Sequence, residues 1–183
     1  MDPLPLDTSS GSNGNGHSCD GADRVSERGQ YKECMARAGH LLARRSRSRN
    51  ELEGRLIGAG FEPEIVAAAL SRLGQLGLVD DAAFARSWID ERAVAKGYGA
   101  AKLVAELEAK GVDHELARQA VSEIDSDEIQ RAAAVALKLA PRVAHRPLAA
   151  QASALAGMLL RRGFGGESTE AAVRSVLPPE GWD

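Results

Sequence analysis

Apolar side chains recur along this chain at helical spacing, and a longer pattern built from them recurs three times. Leu52 and Leu56, Leu103 and Leu107, and Leu155 and Leu159 sit four residues apart, which puts each pair on one face of a helix. Four residues after the second leucine comes a glycine, Gly60, Gly111 or Gly163, followed by Phe61, Val112 or Phe164. A glycine there predicts a left-handed helix end, with the next apolar residue folding back into the core. A second amphipathic stretch follows, carrying Leu70 and Leu73, Val121 and Ile124, or Val173 and Val176. The leading leucines are 51 and 52 residues apart, so the repeat is gapless.

Start signals support the same segmentation. Pro63 suits a first helical turn, and Asp113 and Asp80 are placed to cap helices. Ser48-Arg49-Asn50-Glu51 has capping-box spacing. In the third copy Ser168 or Thr169 is the expected cap, and Ser168 also occupies the place held by Ile65 and Leu116. A further helix precedes each pair. The first carries Tyr31, Cys34, Met35, Ala38, Leu41 and Leu42, and the second carries Phe84 and Trp88. The third, capped by Ser126 and ended by Pro141, presents Ile129, Ala133, Ala136 and Leu137. No alternation of period two competes. The expectation is an all-α protein of three tandem three-helix, helix-turn-helix-like repeats in an elongated array: residues 30–78, 79–125 and 126–183.

Composition adds limits. Ala, Leu and Val supply most of the 44% hydrophobic content and aromatics only 4%, which favours helices. Residues 1–29 are rich in Gly, Ser, Asn and Asp and are expected to form a disordered, acidic tail. Residues 1–30 hold five acidic and two basic side chains. The formal net charge of −3 therefore lies there, and residues 31–183 balance 21 of each sign. Net charge thus does not mark a polyanion partner, although local clustering still can. Cys19 and Cys34 form no disulfide or metal spacing, and no stretch resembles a signal peptide or a membrane span. A cytoplasmic protein is expected.

The strongest chemical feature is a run of arginines. Arg37, Arg44, Arg45, Arg47, Arg49 and Arg55 face only Glu51 and Glu53, and such guanidinium groups suit phosphates or a partner's carboxylates. A solvated helix face is the plain alternative. Lys96, Lys102, Lys110, Arg161 and Arg162 are candidates to extend the basic surface. Phe84 and Trp88 read as core, and Tyr98 as a candidate exposed contact beside a less constrained Trp182. His17, His40, His114 and His145 are scattered without zinc-ligand spacing, and no nucleophile elbow or phosphate loop is present. No cofactor, no metal and no catalytic residue is expected.

Several segments resemble the RecX family. Leu41-Leu42-Ala43-Arg44-Arg45-Ser46-Arg47-Ser48 with Glu51-Leu52 resembles its opening motif, and Asp80-Asp81-Ala82-Ala83-Phe84-Ala85 with Trp88 and Arg92 its second. Glu106-Leu107 with Lys110-Gly111-Val112 resembles the third, and Arg161-Arg162-Gly163-Phe164 the last. The resemblance covers roughly residues 31–177 and implies a crescent of three-helix repeats lodged in the groove of RecA–single-stranded DNA filaments. It implies a non-enzymatic modulator of RecA in DNA repair, recombination and the SOS response; a monomer is expected because the sequence shows no coiled-coil heptad or large leftover apolar face. The usual effect in the family is inhibition of recombinase, ATPase and coprotease activity. One departure is the stretch from Glu91 to Lys102, where the family commonly carries a dense basic run and this chain does not. A direct DNA-binding helical-repeat module is the alternative, separable by its salt dependence.

Overall fold

The computed structural model describes residues 19–124 and 128–178, and within them the chain forms nine α-helices and no strand. They fall into three triplets. The first is α1 (Cys19–Arg44), α2 (Arg49–Ile57) and α3 (Pro63–Gln75). The second is α4 (Asp81–Ala95), α5 (Ala100–Ala109) and α6 (His114–Ser122). The third is α7 (Glu128–Leu139), α8 (Leu148–Leu160) and α9 (Gly166–Val176), with a 3-10 turn over Ala140–Arg142 after α7. All the extensive helix–helix packing lies within a triplet, and each triplet buries its own core. The paired leucines are the deepest members of those cores: Leu52, Leu56, Leu103, Leu107, Leu155 and Leu159 have no exposed surface.

The expected glycine ends form in all three copies. Gly60, Gly111 and Gly163 have φ of 94°, 76° and 84°. Behind each, the next residue's amide donates to the carbonyl five positions back: Phe61 to Leu56, Val112 to Leu107, Phe164 to Leu159. This pattern satisfies carbonyls that the helix end would otherwise strand.

Several helix starts also form as read. Asp80 accepts from the amides of Ala82 and Ala83, and Asp113 from those of Glu115 and Leu116. Ser48 accepts from the Glu51 amide, but the Glu51 carboxylate does not return to close the box. It is held instead by arginines.

Three expectations need correction. Residues 19–29, assigned to a disordered tail, belong to α1. Ser168 and Thr169 do not cap α9, which starts at Gly166 behind Gly165; both are buried one turn inside it. On α7 the core face is Ala132, Ala136 and Leu139, while Ile129 and Leu137 are 48% and 66% exposed. Both sets obey helical spacing, and with apolar residues around most of α7 the period alone could not choose between them. Ser126 and Trp182 lie outside the described residues.

The triplets join end to end through their second helices. The C-terminal end of α5 meets the N-terminal end of α2, and that of α8 meets that of α5. At the first junction the Ser48 hydroxyl donates to the Lys110 carbonyl. At the second, the amides of Gly99 and Ala101 donate to the carbonyls of Arg162 and Gly163 at 2.8 and 3.1 Å. A carboxylate from the next triplet's first helix completes each contact. Asp81 accepts from the Arg49 amide at 2.7 Å, and Glu128 from the Ala100 amide at 2.9 Å.

The approach is too close for a side chain on the glycine. A Cβ on Gly111 would stand 2.3 Å from Asn50 Cβ, and one on Gly163 would stand 2.4 Å from the Lys102 amide nitrogen. Gly60, which docks on no other described helix, has open space there.

Glu128 is buried, and it also accepts from the Gly165 amide and, at 2.7 Å, from the Ser168 hydroxyl. This explains the serine at an otherwise apolar repeat position: it serves a carboxylate that needs donors when out of water.

Two stability outcomes follow from these contacts, each read by urea unfolding. Gly60→Ala should cost about 1–2 kcal/mol, the penalty of left-handed backbone alone. Gly163→Ala should cost clearly more, because it also forces the junction apart. Equal losses would show that the junction contributes nothing. Ser168→Ala should cost about 1–3 kcal/mol by leaving Glu128 short of a donor, and an unchanged midpoint would remove that bond from the account.

Candidate functional site

Because neighbouring triplets touch mainly through helix ends, a cleft remains beside each junction. The first, of about 510 Å³, is lined by Arg45, Ser46, Phe84, Ser87, Trp88, Glu91, Arg92 and Lys110. The second, of about 370 Å³, is lined by Lys96, Gly97, Arg131, Ala134, Val135, Lys138, Leu139, Arg142 and Arg162, with Ala93 and Ala95. The two occupy the same place in the repeat. Arg45 and Lys110 correspond to Lys96 and Arg162, and Phe84, Trp88 and Glu91 to Arg131, Val135 and Lys138. A larger groove between α1 and α3, about 760 Å³, mixes Glu27, Glu62 and Glu64 with Arg28 and Lys32 and shows no common chemistry.

In the first cleft the charges are partly spent internally. Glu51 lies behind it with its side chain 15% exposed, and it gathers three arginines. Arg45 donates to both of its oxygens, Arg47 donates at 3.0 Å, and Arg55 stands 3.9 Å away. Arg47 is buried and also donates through Nε to the Leu41 carbonyl. It is thus a brace between α1 and α2 rather than a free binding group. Burial, and then the charges of Arg45 and Arg55, pull its guanidinium below the usual arginine value.

For Glu51, burial pushes the carboxyl upward, but the Arg45 bonds and the charges of Arg45, Lys110 and Arg47 outweigh it. The net position is below the ordinary carboxylate range.

Over the cleft floor, the Arg92 guanidinium carbon lies 4.0 Å from the Trp88 ring centroid and the Lys110 ammonium 5.2 Å from it. Such stacking contributes about 0.5–1 kcal/mol at exposed sites. The indole N–H donates to Glu106 at 3.1 Å, and Phe84 packs against the same ring. Trp88 is therefore half core, as read from its spacing, and half cleft wall.

The sequence candidates divide accordingly. Arg45 and Lys110 enter the first cleft, Lys96 and Arg162 the second. Arg37, Arg44, Arg49 and Arg161 are exposed and line neither cleft; Arg55 stays at the edge of the Glu51 cluster. Lys102 stands 4.9 Å and Lys96 5.8 Å from the centroid of Tyr98, which packs on the middle core rather than standing free.

Arg92, Arg131, Lys138 and Arg142 were not among the candidates. Aligning the first helices of the second and third triplets, Asp81 on Glu128, would have exposed the cleft positions. Among the described residues no group of three or more His, Cys, Asp or Glu side chains could hold a metal ion. No helix there is long and apolar enough to cross a membrane.

Comparison with known proteins is consistent across sequence and fold. A family model described as RecX, first three-helix domain, matches residues 34–73, and one described as RecX, second three-helix domain, matches residues 80–121. The regulatory protein RecX of Thermobifida fusca is 33% identical over 152 residues, covering 82% of each chain. The chain belongs to the RecX family.

The RecX of Mycobacterium avium is 37% identical over 142 residues, covering 76% of this chain and 82% of its own. RecX from Lactobacillus salivarius, known as a crystal structure, superimposes with a TM-score of 0.77. That match is 21% identical and covers 81% of this chain and 97% of that one, so it speaks to the fold. A second RecX crystal structure gives 0.76 at 20% identity, over 86% of this chain and 79% of its own. The all-α helical repeat is thus the RecX fold, and the chain shares a family with proteins named as regulatory.

The depressed Glu51 carboxyl sets a pH dependence for this RecX-family protein. A carboxylate with a folded value below its unfolded one stabilises above the unfolded value of about 4.3, and that stability disappears as pH falls through the folded value. Glu51→Gln should therefore lower stability at pH 7, and its gap from the parent should narrow as pH drops below about 4. A gap that stays constant from pH 7 to pH 3 would show that the charge of Glu51 is not what stabilises the α1–α2 turn.

Proposed function

We propose that this protein binds RecA and RecA–single-stranded DNA filaments and modulates, chiefly by inhibition, their recombinase, ATPase and coprotease activities. The observation that carries the reading is membership of the RecX family over four-fifths of the chain, among relatives named regulatory protein RecX. Two repeat-equivalent clefts carry cations on their walls at a fixed repeat spacing, and in the second no carboxylate offsets them. That suits a filament, which is itself a repeating, negatively charged partner. The protein acts as a monomeric regulator in the cytoplasm rather than as a catalyst, and occupying the filament groove hinders subunit addition or conformational cycling.

A second reading, direct binding of nucleic acid, is favoured by the second cleft, whose walls carry no carboxylate.

The test is RecA's single-stranded-DNA-dependent ATP hydrolysis, titrated with this protein at low and moderate salt. Inhibition well below one protein per RecA monomer is expected, and it should survive at moderate salt if protein contacts dominate. Unchanged hydrolysis by the cognate RecA at equimolar protein would overturn the reading.

A further inference from the structure

From the second cleft we infer a phosphodiester-binding site between the second and third triplets, one that grips the backbone of a nucleic-acid strand without reading its bases. The inference deepens the nucleic-acid reading above and rests on it. Five cations, Lys96, Arg131, Lys138, Arg142 and Arg162, line this one cleft, and no acidic side chain does. Among the described residues none of the five forms an ion pair. In the equivalent first cleft Glu91 stands where the second has Lys138, and Arg45 is neutralised by Glu51. The same frame thus carries partly compensated charge at one junction and uncompensated charge at the next.

Hydrogen-bond capacity points the same way. Arg131 uses one guanidinium nitrogen on the Ile124 carbonyl, while its Nε and second terminal nitrogen are buried and unpartnered. Buried donors of a charged group without an acceptor are costly, so an anionic oxygen drawn into the cleft wall would relieve them, as one would Arg92 Nε, the single such atom at the first cleft. Arg162 is likewise tethered through one nitrogen to the Met158 carbonyl, which holds its planar fork in place. Guanidinium forks match the oxygens of phosphate in pairs.

A single carboxylate would balance only one of five charges, whereas successive phosphates on a strand present one charge per nucleotide. Nor does the cleft offer a stacking platform. Val135 occupies the place of Trp88, and no aromatic residue lines the walls. Base stacking is the usual source of affinity that does not depend on salt. Without it, binding here is electrostatic, indifferent to base sequence and steep in salt. Arg131, Lys138, Arg142 and Arg162 come from the third triplet and close the cleft opposite Lys96 of the second.

The experiment uses the full chain without RecA, so that its failure leaves the filament reading untouched. Fluorescence anisotropy with labelled single-stranded oligonucleotides of thymine and of mixed sequence measures affinity across salt. Lys138→Gln with Arg142→Gln removes two exposed cations of the cleft. Arg72→Gln with Arg86→Gln makes the same change of net charge elsewhere on the exposed surface.

The cleft variant should bind at least tenfold more weakly, with the salt slope reduced by about 0.7 for each phosphate it no longer neutralises. The control should match the parent, both oligonucleotides should bind alike, and helix content should be equal throughout. Equal loss in both variants, a marked preference for one sequence, or no binding by the parent at low salt would each overturn the site. So would retention of binding by the cleft variant, or an oligoglutamate peptide of equal length competing as well as unlabelled strand.

Discussion

The end-to-end contact between second helices is the constraint on which the rest of the molecule depends. A helix leaves unpaired amides at its start and unpaired carbonyls at its end; across the second boundary each end supplies the other's partners, and across the first the Ser48 hydroxyl serves the carbonyl while Asp81 serves the amide. The dipoles run head to tail from α8 through α5 to α2, so the contact is favourable in charge as well as in hydrogen bonds. Its closeness requires a glycine at the acceptor end. Gly111 and Gly163 meet that need because the same left-handed glycine that ends the helix also lacks the Cβ that would block docking. One residue thus sets both the fold of its own triplet and the approach of its neighbour.

A carboxylate stands guard at each junction, and the two cases differ in burial. Asp81 is partly exposed and takes a single amide of α2. Glu128 is buried and takes amides at the starts of α5 and α9 together with the Ser168 hydroxyl. A buried carboxylate without donors would be strongly destabilising, but with three it ties three helices at one point. The junction between the second and third triplets is therefore the more elaborate of the two, and it is also where the uncompensated cations gather.

The clefts are a by-product of joining units through helix ends. First helices of adjacent triplets share no extensive packing, so a gap opens beside each junction and is lined by equivalent positions. In one gap those positions became an aromatic floor with partly paired charges; in the other, an aliphatic floor with cations that form no ion pair. Duplication supplied the geometry, and divergence at a few surface positions supplied two chemistries.

Sequence by itself determined the class, the triple repeat and most helix limits, because these follow from spacing and cap chemistry that act over a few residues. Leu52 to Gly60 and its two copies could be read as helix, stop and return without any tertiary knowledge. The resemblance in four short segments likewise reached the family. What sequence could not decide was which of two apolar stripes α7 buries, or why a serine sits at position 168. Nor could it tell which arginines are braces and which are free.

Arg47 and Arg45 lie two residues apart in one basic run, yet one is buried in a turn and the other opens onto a cleft. Only the docking of one triplet on the next brings Lys96 beside Arg131, Lys138, Arg142 and Arg162. Distances between residues far apart in the chain are set by packing, and the charge of a site depends on those distances rather than on the order of its residues.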